Sequence, residues 1–425
     1  MTDALVLRRK IVQFLCTDRL EYLNASETEW MRNLPWLDRS GLALPLAARF
    51  EALRPGARVP SAVRSALRSR LADNQRRMER MLEYFQEAVR VLEGSQVRYC
   101  CVKGFSLIPD CFDTIRERHQ IDLDLLIAPQ DLNRAQGALE RLGYRVQCAD
   151  ESGEVRLVRA WKKHLGVHAY LYQPPEPPPI ELHTKVWESE ADEMEFPLVS
   201  GFSDAAEDHE VCGVAFCRLR PAHHFVYLLL HIFRHLLGSW TRLLSLYEIA
   251  TFIRAHSSKD DVWAEAIQII ESDKVLASAC ALVLSLVDAT FPSDMPSHLR
   301  QICARSLSPE SAIWIEHYST AWLLADPPGS KVSLLVQRQF WPDRQAWRVY
   351  LTRRLLPFRK PHQLSDELVE STKRGLAYRV EEAGYKVSRA WYHVRSDFEF
   401  LRAWLRWTQE AQTRTGPARQ VVNGL

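Results

Sequence analysis

The apolar positions along the chain change their period twice. From the N-terminus to about Glu93 they recur every three and four residues, as in SAVRSALRSRLADNQRRMERMLEYFQEAVRVLEG, which predicts a long amphipathic helix closed by Gly94. The period then shortens. VRYCCV predicts a short strand, KGFS a turn and DLDLLI a second strand, followed by a helix over APQDLNRAQGALERLGY that stops near Gly143. Further strands are expected in EVRLVRAWKK, VHAYLY and IELHTKVW, and the run QPPEPPP before the last of them is too rich in proline for a hydrogen-bonded ladder. After about Arg220 the helical period returns, through AHHFVYLLLHIFRHLL, WTRLLSLYEIATFIRAH and a tryptophan-rich tail. There is no internal repeat.

Helices, then a few strands, then more helices predict an α+β fold: a small mixed β-sheet core flanked by an N-terminal helical segment and a large C-terminal helical domain. The expected bounds are residues 1–94 for the first helical region, 95–200 for the α/β core, and 215–425 for the C-terminal domain with its basic, aromatic tail. A length of 425 residues suits two or three such units.

Two acids interrupt the second strand. In RHQIDLDLLI, which starts at Arg118, strand alternation puts Asp122 and Asp124 on one face and Leu123 and Leu125 on the other. Like charges this close raise each other's pKa unless a cation separates them, so the pair calls for a metal, a bound base or open solvent. The strand IELHTKVW repeats the device, with Glu181, His183 and Lys185 on one face. Neutralising either aspartate is expected to leave the metal-free protein as stable as before or slightly more so.

Composition narrows the setting without naming a partner. The apolar and charged fractions are ordinary and the formal net charge is +2. Nine cysteines without a C-x-x-C motif, Cys212 and Cys217 forming the nearest spaced pair, fit a reduced, cytoplasmic chain. MTDALVLRRKIVQFL lacks a signal-type cleavage site, and the longest apolar run, Val275 to Val287, is shorter than a bilayer span, so no transmembrane segment is expected.

Lys103-Gly104, Pro109, Arg118 four residues before Asp122-Leu-Asp124, the helix ending LGY and the later Glu181-Leu-His183 together resemble the polymerase-beta-type nucleotidyltransferase superfamily. More narrowly, they resemble a bacterial family of nucleotidyltransferase-like proteins whose substrates are mostly unassigned. The likeness runs from about Val97 to Trp187 and, more loosely, through LLLHIFRHLLGSWTRLLSLYEIA. It implies a metal-dependent, nucleotide-binding transferase that moves NMP from an NTP, ATP included, to an unknown acceptor hydroxyl on a small molecule, glycan, protein or RNA. Asp122, Asp124 and Glu181 would hold Mg²⁺ or Mn²⁺ and serve catalysis. Lys103, Gly104, Ser106 and Arg118 would contact the nucleotide phosphates. The alternatives are a catalytically inactive protein of the same fold that binds or scaffolds, and a basic RNA-binding protein.

Two features stand outside that set. His223, His224, His231 and His235 cluster at helical spacing, for which hydrogen bonding inside the helical domain, with Glu248 as partner, is favoured over substrate contact and then zinc. From Lys331 onward the tail holds 18 Lys and Arg against 9 Asp and Glu, interleaved with tryptophans, a composition that fits contact with a polyanion, whether nucleic acid or an anionic membrane.

Overall fold

The computed structural model describes residues 3–54, 58–149, 154–159, 177–187, 202–326, 328–341, 343–356 and 376–415, together with Leu171, Tyr172 and Phe196. Four helices lead the chain: α1 (Asp3–Thr17), α2 (Glu27–Ser40), α3 (Ala43–Leu53) and α4 (Ser61–Gly94). A capping box opens α2, where the Ser26 hydroxyl accepts from the Glu29 N–H and the Glu29 carboxylate accepts from the Ser26 N–H. Helix α4 buries a stripe at three- and four-residue spacing, Leu67, Leu71, Asn74, Met78, Met81 and Phe85. Asn74 is the polar residue in that stripe.

A seven-stranded mixed sheet follows: β1 (Tyr99–Cys101), β2 (Leu123–Ile127), β3 (Arg145–Ala149), β4 (Glu154–Val158), β5 (Ile180–His183), β6 (Ala206–Val211) and β7 (Val214–Leu219). Its order is β3-β4-β5-β2-β1-β7-β6. Strand β2 is central, antiparallel to β1 and parallel to β5, and helix α5 (Leu132–Arg141) links β2 to β3. Gly143, just past α5, has φ +87°, a left-handed backbone that glycine adopts at little cost.

The sheet is larger than the sequence pattern indicates. The hairpin β6–β7 lies across the expected gap between residues 200 and 215, so the sheet extends to Leu219. Its first strand, AEDHEV, is mostly acidic and half-exposed, and so lacks an apolar face to betray it. Two expected strands are shorter than their patterns, β4 ending at Val158 and β5 at His183. Of the expected strand VHAYLY only Leu171 and Tyr172 lie among the described residues, and they are helical. Most of QPPEPPP lies outside the described residues.

Past the sheet the chain is helical: α6 (Pro221–Leu237), α7 (Leu243–Ala255), α8 (Asp260–Glu271), α9 (Lys274–Thr290) and α10 (Ser297–Ser306). Pro221 sits at the start of α6, where its missing N–H costs no helical bond. Shorter helices α11 (Pro309–Trp314), α12 (Thr320–Leu323) and α13 (Leu334–Gln337) precede α14 (Arg344–Leu355) and the long α15 (Leu376–Thr415). The apolar run Val275 to Val287 is mostly buried within α9. Among the described residues no helix is long and apolar enough to cross a membrane.

Candidate functional site

The parallel register of β2 and β5 sets Asp124 beside Glu181. Because both side chains project from the same face, their carboxylates share the floor of a cavity of about 520 Å³. Asp122, one residue before β2 begins, lines the same cavity, as do Lys103 and His183. The three acids expected from the sequence are therefore together.

Their partners are unequal. Lys103 Nζ donates to Asp124 Oδ1 at 2.6 Å, and His183 Nε2 lies 3.3 Å from the same oxygen and 4.0 Å from Glu181 Oε2. Arg156, which faces Glu181 across the β4–β5 ladder, donates to Glu181 Oε1. Burial pushes Asp124 up, yet Lys103 and the contact with His183 outweigh it and hold this carboxyl well below the usual carboxylate range. Burial, then repulsion from Asp122 and Asp124, pushes Glu181 up to about 8 despite Arg156. Burial and the charge of Asp124 likewise raise Asp122. Lys103 has gone to Asp124 and Arg156 to Glu181, so three buried acids share two cations and keep an excess of negative charge.

That surplus is the test of fit for a metal. Asp124, Glu181 and His183 offer ligand atoms all within 4.8 Å of one another, close enough for one ion to bind all three. The ammonium of Lys103 already marks a cation position beside Asp124. Carboxylate and imidazole donors suit a divalent ion, so the residues fit one.

The loop that carries Asp122 is held from below by α4. Asn74 Nδ2 donates to the carbonyls of Arg116 at 2.8 Å and Arg118 at 2.9 Å, and Arg77 donates to the carbonyl of Gln120. Gln120 in turn donates to the Asp122 carbonyl at 2.7 Å and lies over Gly104. A Cβ at Gly104 would fall 2.1 Å from Gln120 Oε1, and its φ is +66°. The glycine thus serves the turn and the close approach of Gln120. Gly104 and Ser106 do not line the cavity: the Ser106 side chain is buried and its hydroxyl donates to the Lys103 carbonyl at 3.2 Å. Phe105, between Gly104 and Ser106, packs its ring against Phe85 of α4.

Arg118 does line the cavity, but Nε donates to Glu248 Oε1 at 2.7 Å. Glu248 therefore partners an arginine and not the histidines. His231 and His235 bond each other, Nε2 to Nε2 at 2.9 Å, one donating and the other accepting. Burial, with the charge of Lys103 second, lowers both, His235 to about 3, so the pair is neutral. His223 and His224 lie elsewhere; His224 Nε2 donates to the Val102 carbonyl at 3.1 Å. The four histidines do not form one site.

Several cavity residues escape the sequence reading. His183 was visible only as part of Glu-Leu-His, though strand alternation already put it beside Glu181. Asn74 had a signal, a polar residue in an apolar helical stripe. Arg234 and Arg242 come from α6 and the turn after it, and Tyr350 and Arg354 from α14. No local pattern marks these four, because their role comes from tertiary approach.

The sequence matches the family described as uncharacterised nucleotidyltransferase over residues 26–292, a stretch that includes α4, the whole sheet and helices α6 to α9. No curated protein matches the chain.

Proposed function

The chain belongs to this family of uncharacterised nucleotidyltransferases, which it matches over more than half its length, and from that premise we propose that it transfers NMP from an NTP to an acceptor hydroxyl. The acceptor oxygen attacks the α-phosphorus; a new P–O bond forms as the bond to the β-phosphate oxygen breaks, and pyrophosphate leaves. The hydroxyl proton passes to a carboxylate of the cluster. Glu181 is the candidate, since the β2–β5 register sets it beside Asp124 at the cavity floor. Asp124, Glu181 and His183, with Asp122 lining the same cavity, would hold Mg²⁺ or Mn²⁺, which would offset the charge of the triphosphate and of the departing pyrophosphate.

The remaining cavity residues bind and orient. Lys103 supplies a positive charge at the floor, and Arg234, Arg242 and Arg354 make the wall electropositive toward a polyphosphate. The half-exposed ring of Trp240 lies at the cavity wall, where it can meet a base or a sugar. Arg118 positions the loop ahead of Asp122 through its pair with Glu248.

The observation that carries this reading is the convergence of Asp124, Glu181 and His183 on one point at the cavity floor. Incubation with α-labelled NTPs, Mg²⁺ or Mn²⁺ and fractionated acceptor pools tests it, with label expected on one pool. A second reading, a silent relative that binds nucleotide without transfer, is favoured by one contact, the Lys103 ammonium on Asp124. NTP binding of equal strength with and without divalent metal, and no labelled product from any pool, would establish it instead.

A further inference from the structure

We propose that helix α15 docks on an anionic lipid surface through the face it turns away from the protein. The helix lies beyond the family match, which ends at residue 292. Val387, Trp391, Val394, Phe398, Leu401 and Leu405 follow one another at alternating four- and three-residue steps and are 51% to 69% exposed. At 100° per residue they fall within an arc of about 80°. On the opposite side of the same helix Ser396, Phe400, Ala403 and Trp407 are buried against the protein, with the Ala403 carbonyl accepting from the Tyr318 hydroxyl at 3.3 Å. The helix is therefore anchored by one stripe and presents a second, apolar one.

Charge selects the occupant. Between Val387 and Gln409 the helix holds four arginines and no lysine against two acids, Asp397 and Glu399. Both acids are already engaged: Lys331 Nζ donates to Asp397 at 2.6 Å and Arg395 Nε to Glu399 at 2.8 Å. Arg402 and Arg406 are exposed beside the stripe. Tryptophan, phenylalanine and leucine on the buried side of an interface, with arginines along its edge, is the composition that rests at the headgroup level of an anionic bilayer. A second copy of the helix fits less well. Antiparallel pairing sets Arg395 and Arg402 against their own kind, and in a parallel pair the one complementary contact, Asp397 with Arg402, competes with Lys331.

Co-sedimentation of the full chain with vesicles tests the proposal. The protein should pellet with phosphatidylcholine vesicles containing phosphatidylglycerol, more than about tenfold better than with phosphatidylcholine alone, and salt should release it. Trp391→Glu with Phe398→Glu should lower binding more than about tenfold at an unchanged melting temperature, because both side chains are exposed. Arg402→Ser with Arg406→Ser should weaken it severalfold. The proposal is overturned if the parent stays in the supernatant, or if either pair of substitutions leaves vesicle binding as it was. It is equally overturned if the parent is a dimer in solution that the Trp391 and Phe398 substitutions dissociate, since a second copy would then cover the stripe.

Discussion

Asp38 and Asp124 are almost equally buried, at 4% and 2% exposure, yet they sit in opposite kinds of surroundings. Arg70 grips both oxygens of Asp38 at 2.7 and 2.8 Å, and the Tyr172 hydroxyl donates to Oδ1 at 2.8 Å. That carboxylate is satisfied by its own chain. Asp124 has Lys103 and His183, and Glu181 beside it has Arg156, but with Asp122 the three acids outnumber the two cations. Burial alone does not mark a functional acid. An acid cluster that outnumbers its own cations is the stronger candidate, because a proton or an added cation must relieve its repulsion.

The largest expected effect breaks the comparison on the cavity side. Asp124→Asn should lower label transfer by more than ~10²-fold, measured as initial rate at saturating NTP. It should also lower the melting temperature of the metal-free protein, because the buried Lys103 loses its anion. Asp122→Asn should lower transfer comparably but leave the melting temperature equal or higher, since it removes repulsion. The expectation that either aspartate can be neutralised without loss of stability should therefore fail at Asp124 and hold at Asp122. Identical melting shifts for the two variants would contradict the unequal sharing of Lys103.

On the other side, Asp38→Ala should destabilise by about 3–5 kcal/mol, as for any buried pair stripped of one partner. Transfer per folded molecule should be unchanged, read by denaturant titration alongside the activity assay. Asn74→Leu, between the two regions, removes two hydrogen bonds to the Asp122 loop and should cost about 1–3 kcal/mol. It should also raise KM, since the loop lines the cavity.

The smallest effect sharpens the distinction by pH. Glu181 titrates near 8 in the folded protein and far lower when unfolded, so the folded state holds an extra proton between those values. The stability this contributes is complete below the unfolded pKa and is lost as pH rises toward about 8. A bound metal must displace that proton. Its affinity should therefore rise by up to about tenfold per pH unit below about 8 and level off above, in calorimetric titrations with Mn²⁺. A flat profile would separate Glu181 from the metal.

Periodicity made the helices and central strands legible, and strand alternation put Asp122 and Asp124 on one face of their strand and Glu181 on the polar face of another; that the two strands are neighbours came from the fold. Where apolar residues did not alternate, the reading failed: the acidic strand β6 has no hydrophobic face to count. Ser106 was expected among the phosphate contacts that the resemblance implies, but Phe105 packs on α4 and the serine is buried below the cavity floor. Partner choice was equally hidden. Glu248 was assigned to the histidines, whereas Arg118, which also carries the geometry of the loop, reaches it first. A sequence supplies the donors and acceptors of such a network, but which of them meet depends on helices that arrive from elsewhere in the chain.

The parallel pairing of β2 with β5, and of β1 with β7, also fixes when the cavity floor can exist. Asp124 must wait for Glu181, and Cys101 for Arg218, across stretches of chain whose closure carries an entropic cost before any ladder bond forms. On a ribosome the first two strands emerge as an unfinished ribbon with both edges open. Asp124 and Glu181 become neighbours only once the sheet has closed around them.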